Sequence, residues 1–234
     1  MSVTDIGIVN LPRTTIGKKV IIALSGAIWI GYLLMHMYGN LKIFSGAEHF
    51  NEYAAGLRTL GAPIFGYANL LWVARIILIF SFVPHVWAGI VLYFRKRKSR
   101  GSTSYVERKS LRASPATLTM VFGGIAIGLF IIYHLLHFTF GVAGIHPDFV
   151  AHDTYHNVIV GFTSYGYIST IIYLIGLVAV GFHLYHGAWS MWQTLGLNNQ
   201  AYTGLWRGLA WLLALGIPIG FALVPIAIIF GIVS

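Results

Sequence analysis

Residues 166–192 read GYISTIIYLIGLVAVGFHLYHGAWSMW, a run without one Asp, Glu, Lys or Arg that nevertheless carries His183 and His186 a turn apart. A helix needs about 20 mostly apolar residues to cross a bilayer, and this stretch shows none of the period-two alternation of an outer-membrane barrel strand. It predicts a membrane-spanning helix with ionisable groups at depth. Four more runs share that character, at 20–44, 67–94, 116–140 and 209–233. The composition agrees: 57% of the 234 residues are hydrophobic and 9% are charged, against about 25% charged in an average soluble domain. So few charges cannot cover the surface of a water-soluble fold. The expected fold class is therefore an all-α integral membrane protein with five transmembrane helices. Short polar connections and the lack of an internal repeat make residues 1–234 one bundle domain. The chain has no cysteine, which excludes disulfides, thiolate zinc sites, iron–sulfur clusters and covalent haem attachment. Any redox centre must be held non-covalently.

Charge placement sets the topology. Arg13, Lys18, Lys19, the run Arg95, Lys96, Arg97, Lys98 and Arg100, then Arg108, Lys109, Arg112 and Arg207 all fall on one side. Lys42 and Arg58 fall on the other, and Arg75 lies inside the second span. The basic side is cytoplasmic, so the N-terminus is inside and the C-terminus outside. The net charge of +9 then records orientation in the lipid bilayer rather than nucleic-acid binding. Lys18 and Lys19 precede the first apolar run as they would in a signal peptide, but the run is too long and lacks a convincing cleavage site. It reads as a retained helix. An outward C-terminus places the fifth helix at the edge of the bundle.

Ionisable residues inside a membrane are costly and point to function. Of the ten histidines, His49, His146, His152 and His156 fall between the spans and read as solvated loop residues. The other six, His36, His85, His134, His137, His183 and His186, lie within the first four spans. Alternating helix direction puts His36 and His134 in the outer half, and His85 and His183 in the inner half. The two levels are separated by roughly 15–20 Å at 1.5 Å per residue.

Two facing histidine pairs at two depths of a four-helix bundle suit two bis-histidine haems, because imidazole is a good axial ligand and a b-type haem needs no cysteine. Gly89 and Gly187 each follow a histidine by four residues, on the same helix face. A glycine there leaves room for a flat macrocycle to approach the backbone. Pro84, beside His85, predicts a local kink. Helix–helix hydrogen bonding, a metal site without haem and a proton relay are the competing readings. A bare metal would want its ligands gathered at one depth. His137 and His186 sit one turn from His134 and His183 and are the alternative ligands; as spares they would serve a propionate or a neighbouring helix.

Four blocks carry a family resemblance: Ile16-Gly17-Lys18-Lys19, HMYGNLKIFSGAEHFNEYAAGLR at 36–58, YHLLHFTFG at 133–141 and FHLYHGAWSMWQTLG at 182–196. In this order they resemble the cytochrome b membrane-anchor subunit of bacterial succinate:quinone oxidoreductases, the single-subunit, five-helix, di-haem type. The resemblance implies an outer haem b on His36 and His134 and an inner haem b on His85 and His183. It also implies a bacterial cytoplasmic membrane, a flavoprotein subunit that oxidises succinate, an iron–sulfur subunit docked on the inner face, and quinone as acceptor, with menaquinone common in di-haem members. The chain would then be the quinone-reducing part of an enzyme and would not oxidise succinate itself. A di-haem cytochrome of another quinone oxidoreductase (fumarate, nitrate or formate linked) and a haem-free proton-coupled transporter are the alternatives.

For the quinone itself, His49, Glu52 and Arg58 are the polar groups near the outer level, with a solvated loop as their simpler role. Arg75 needs a partner, which an outer haem propionate, Asp148 or Asp153 could supply. Trp192, Gln193, Arg95 and Arg112 mark the inner face.

Overall fold

The computed structural model describes residues 8–99 and 115–234. Arg100, Arg108, Lys109 and Arg112 of the basic loop lie outside them. Among the described residues there are helices and turns and no strand. The first long helix, α1 (Thr15–Leu41), begins ahead of its apolar run because Thr14 caps it, its side chain accepting from the Gly17 amide at 2.9 Å. The turn before it, Ile8–Arg13, folds back so that the buried Lys18 Nζ donates to the Pro12 carbonyl at 2.6 Å.

Two features follow α1 that hydropathy does not announce: a surface helix α2 (Ala47–Thr59) and a single turn α3 (Ala62–Phe65). The second span, α4 (Asn69–Ser99), runs on through Pro84 as one helix. At its basic end Arg95 donates to the Arg13 carbonyl at 3.1 Å, tying α4 to the start of α1. The third span, α5 (Pro115–His134), ends in one π-helical turn, Leu135–Thr139. The fourth is preceded by an unforeseen helix α6 (Thr154–Thr163), and α7 (Ile168–Thr194) starts after a turn in which Tyr165, Gly166 and Tyr167 are all left-handed. That turn is closed by Thr170 Oγ1 donating to the Phe162 carbonyl at 3.0 Å. Last comes α8 (Thr203–Ile229). Five of these helices are long and apolar enough to cross a membrane, and the chain is a multi-pass membrane protein.

α1 and α7 form the centre. α1 packs against α4, α7 and α8, while α7 packs also against α5 and α8. The fifth span packs on α1 and α7 through its buried Ala210, Ala214, Ile217 and Val224, while Trp211, Leu212, Leu215 and Ile219 on its other flank are exposed, as expected of a helix at the edge. Without water to exclude, such helices associate by close packing at small residues. A Cβ added at Gly181 of α7 would sit 2.9 Å from the Ala214 carbonyl oxygen of α8. Since backbone cannot move aside cheaply, Gly181→Ala should cost about 1–3 kcal/mol, seen as a lower unfolding midpoint in a denaturant titration in detergent. An unchanged midpoint would show that α8 is loosely held.

A polar clasp joins α2 to α6 at the end assigned outside by charge. Asn51 Nδ2 donates to Asp153 Oδ1 at 3.0 Å, the Tyr155 amide donates to Asn51 Oδ1 at 2.9 Å, and the His156 amide donates to Asp153 Oδ1 at 3.0 Å. The His156 amide first, and the Asn51 amide next, hold the Asp153 carboxyl below the usual carboxylate value of 3.8. A depressed carboxylate stabilises the fold above its unfolded value and stops doing so as pH falls through its folded one. Amide exchange in the first turn of α6 should therefore accelerate, beyond the intrinsic rate change, on acidification below about pH 4. Asp153→Asn should abolish that pH dependence, and a wild-type profile already flat would refute the clasp.

Candidate functional site

The six intramembrane histidines are not scattered. His36 on α1 and His134 at the end of α5 face each other with ring centroids 5.8 Å apart and planes at 76°. His85 on α4 and His183 on α7 do the same at 6.1 Å and 52°. Two imidazoles on opposite sides of one metal ion, each with a metal–nitrogen bond of about 2 Å, put their centroids about 6 Å apart. Ordinary aromatic contacts cover the same range, so spacing alone does not identify a ligand pair. The hydrogen bonds add what spacing lacks.

In the His85–His183 pair, Ser25 Oγ donates to the Ile21 carbonyl at 2.6 Å and lies 2.9 Å from His85 Nδ1. Its one proton is committed, so its oxygen accepts from His85 Nδ1–H. The neutral ring then has a bare Nε2, the tautomer that binds a metal while the other nitrogen holds an outer partner. In the His36–His134 pair, His134 Nδ1 is 3.0 Å from the Tyr173 hydroxyl. Tyr32 stacks on His36 at 5.2 Å and 11°, and Phe221 of α8 lies 5.5 Å from it. The His183 Nδ1 is buried without a hydrogen-bond partner.

The glycines fall into two groups. A Cβ at Gly161 or Gly176 would collide with Phe138 or Phe130, whereas a Cβ at Gly89 or Gly187 would meet no atom within 4 Å. The two glycines four residues beyond His85 and His183 thus have unfilled space beside them, as do Gly31, Gly123, Gly128, Gly208 and Gly216. Among the described residues no three His, Cys, Asp or Glu gather as a metal-holding group. A pair of facing imidazoles supplies two donors, the number that the axial positions of a macrocycle-held iron take.

No known family, curated protein or solved structure matches the chain.

The neighbouring histidines of each helix have different surroundings. His137 is fully buried, packed on Phe138 at 4.1 Å, and shares the Tyr173 hydroxyl at 3.2 Å, leaving no flank for a macrocycle. The ring facing His36 is that of His134, and the ring facing His85 is that of His183, with the half-buried His186 a turn further on.

Other expectations change. His146 is not a solvated loop residue but 1% exposed, because the segment after the π turn folds back and places its ring 5.2 Å from His137 and 5.4 Å from Phe149. His49 and His156 sit on helices rather than in loops; His49 is exposed 3.7 Å from Glu52, and His156 pairs with Asp148 at 3.0 Å. With Asp148 and Asp153 so engaged, neither is the partner of Arg75. Its guanidinium instead lies 4.8 Å from the Trp72 ring centroid on the exposed flank of α4. Arg58 donates to the Ala54 carbonyl of its own helix at 3.0 Å. Where α7 ends and α8 begins, Trp192 stacks on Trp206 at 4.0 Å, and Arg207 lies over Trp189 at 5.0 Å.

Ser25 and Tyr173, which hydrogen-bond one ring of each pair, are neutral hydroxyls and give no signal among the histidines and charged residues of the spans. Their place along the helices could have found them: Ser25 lies in the first half of α1 and bonds His85, and Tyr173 lies in the first half of α7 and bonds His134.

Proposed function

We propose that the chain is the di-haem cytochrome b membrane anchor of a bacterial succinate:quinone oxidoreductase in the cytoplasmic membrane. The observation that carries this reading is the presence of two facing histidine pairs, each with one ring held at Nδ1 by a hydroxyl. His36 and His134 would hold one b-type haem, and His85 and His183 the other. When bound, the haems supply reversible one-electron chemistry across the membrane, between an iron–sulfur subunit on the inner face and quinone, with menaquinone the favoured species.

The chain's own part is positional. Ser25 fixes the His85 tautomer, and the ring partners of His36 restrict its rotation. Gly89 and Gly187 keep side chains off one flank of the inner pair. Arg75, a cation in a span without a carboxylate partner among the described residues, is suited to an anionic group such as a propionate. The basic inner end offers a complementary face to soluble subunits. The sequence resemblance names those subunits as a flavoprotein and an iron–sulfur protein.

Purification of the intact complex tests the assignment. Succinate should reduce a b-type spectrum when the co-purifying flavoprotein and iron–sulfur subunit are present. Haem that formate or nitrate-linked partners turn over, and succinate does not, would keep the cytochrome and replace the partner enzyme.

A further inference from the structure

His36 is held differently from the ring it faces. A directional bond fixes His134, whose Nδ1 lies 3.0 Å from the Tyr173 hydroxyl. Among the described residues no hydrogen bond reaches the His36 ring; its side-chain bond is at the backbone, where its carbonyl accepts from Asn40 Nδ2 at 2.8 Å. A histidine ring turns about its Cβ–Cγ bond with only a broad torsional preference. The plane of His36 must therefore be set by what lies against it.

Two rings lie there. Tyr32, one turn earlier on α1, stacks on His36 with centroids 5.2 Å apart and planes within 11° of parallel. Phe221 of α8 tilts against it at 5.5 Å and 51°. Tyr32 is itself braced, because Trp29 meets it edge-on at 5.7 Å and 81°, and Trp29 lies 5.7 Å from Phe82 of α4. The restraint on His36 thus draws on three helices. It also gives α8, which carries no histidine, a direct contact with a histidine pair. The Cβ–Cγ axis lies in the plane of the ring, so turning His36 would drive one edge into the face of Tyr32. A stacked neighbour restrains the plane and uses neither nitrogen, so both stay available at the ring's edge.

We infer that Tyr32 and Phe221 are positioning residues that clamp the His36 ring and set the angle at which it meets His134, 76° between planes. The inference rests on the haem reading proposed above, because the angle has a chemical consequence only where the two rings share one metal. Imidazoles with crossed planes overlap different orbitals of a shared iron, whereas parallel ones compete for the same orbital. The crossing angle is then a lever on the electronic anisotropy and potential of that centre, alongside the identity of its ligands.

Electron paramagnetic resonance of the oxidised full-length protein in lipid reads this angle, and the signal lost in His134→Ala identifies the centre. Tyr32→Leu should shift or broaden the leading feature of that signal and move the midpoint potential of the same haem. The haem-to-chain ratio and the other signal should stay as in the wild type. Tyr32→Phe, which keeps the stack and removes the hydroxyl, should match the wild type in both readouts. Phe221→Leu should displace the same feature, and it decides the question if Tyr32→Leu loses the haem. A signal unmoved in both leucine variants would overturn the inference and leave the cytochrome reading intact. So would a shift in Tyr32→Phe as large as in Tyr32→Leu, which would assign the restraint to the hydroxyl. A wild-type chain without haem would remove the reading and this inference together.

Discussion

Replacing His85 with alanine is expected to remove one of two haems and leave the other in place. The haem-to-chain ratio should fall by half, as read by extraction and pyridine haemochrome assay. His183→Ala should do the same, and so should His36→Ala and His134→Ala for the other centre. The pairing makes a sharper demand than the single losses. His85→Ala combined with His183→Ala strikes one iron twice and should be no worse than either alone, whereas His85→Ala combined with His134→Ala should leave the chain colourless. That pattern is a failure of additivity within a pair and additivity between pairs. The structure puts the rings of each pair about 6 Å apart and does not bring the two pairs together. His137→Ala and His186→Ala should keep both haems. If His137→Ala lost as much haem as His134→Ala, the ligand on α5 would have to be reassigned.

The second large effect is expected at Gly187. A Cβ there meets nothing within 4 Å, so Gly187→Ala fits and, by helix propensity, should leave the haem-free fold as stable or more so by about 1 kcal/mol. A longer side chain projects into the space beside His183 that the macrocycle would occupy. Gly187→Leu should therefore cost one haem while the helical circular dichroism and the detergent-solubilised monodispersity stay as in the wild type. Gly89→Leu should behave likewise on the other side of the same centre. Retention of both haems in Gly187→Leu would mean that this open space faces lipid and has no part in the site.

The five spans were legible because hydropathy over about 20 residues is a strong signal. The level of each histidine followed from helix direction, which requires no knowledge of packing. Structure at the outer end was not legible. α2 and α6 are short helices of mixed polarity, and the Asn51–Asp153–Tyr155 clasp that joins them links residues about a hundred positions apart. His146 was misjudged for the same reason, since a histidine between spans reads as solvated unless the fold-back that buries it is known. The close approach of α8 to α7 was not legible, because small residues such as Gly181 and Ala214 permit a contact that a count of spans does not reveal. Ser25 and Tyr173 stayed hidden because hydroxyls are unremarkable in a membrane helix until the imidazole they bond is in view.

The central claim is that this chain holds two b-type haems between four histidines. A reduced-minus-oxidised spectrum of the purified full-length protein, with extracted haem quantified against chain concentration, addresses it most directly. The account predicts a b-type spectrum with two non-covalent haems per chain. A chain purified from haem-replete cells without bound haem, folded and monodisperse, would contradict it and return the four histidines to proton transfer or helix packing.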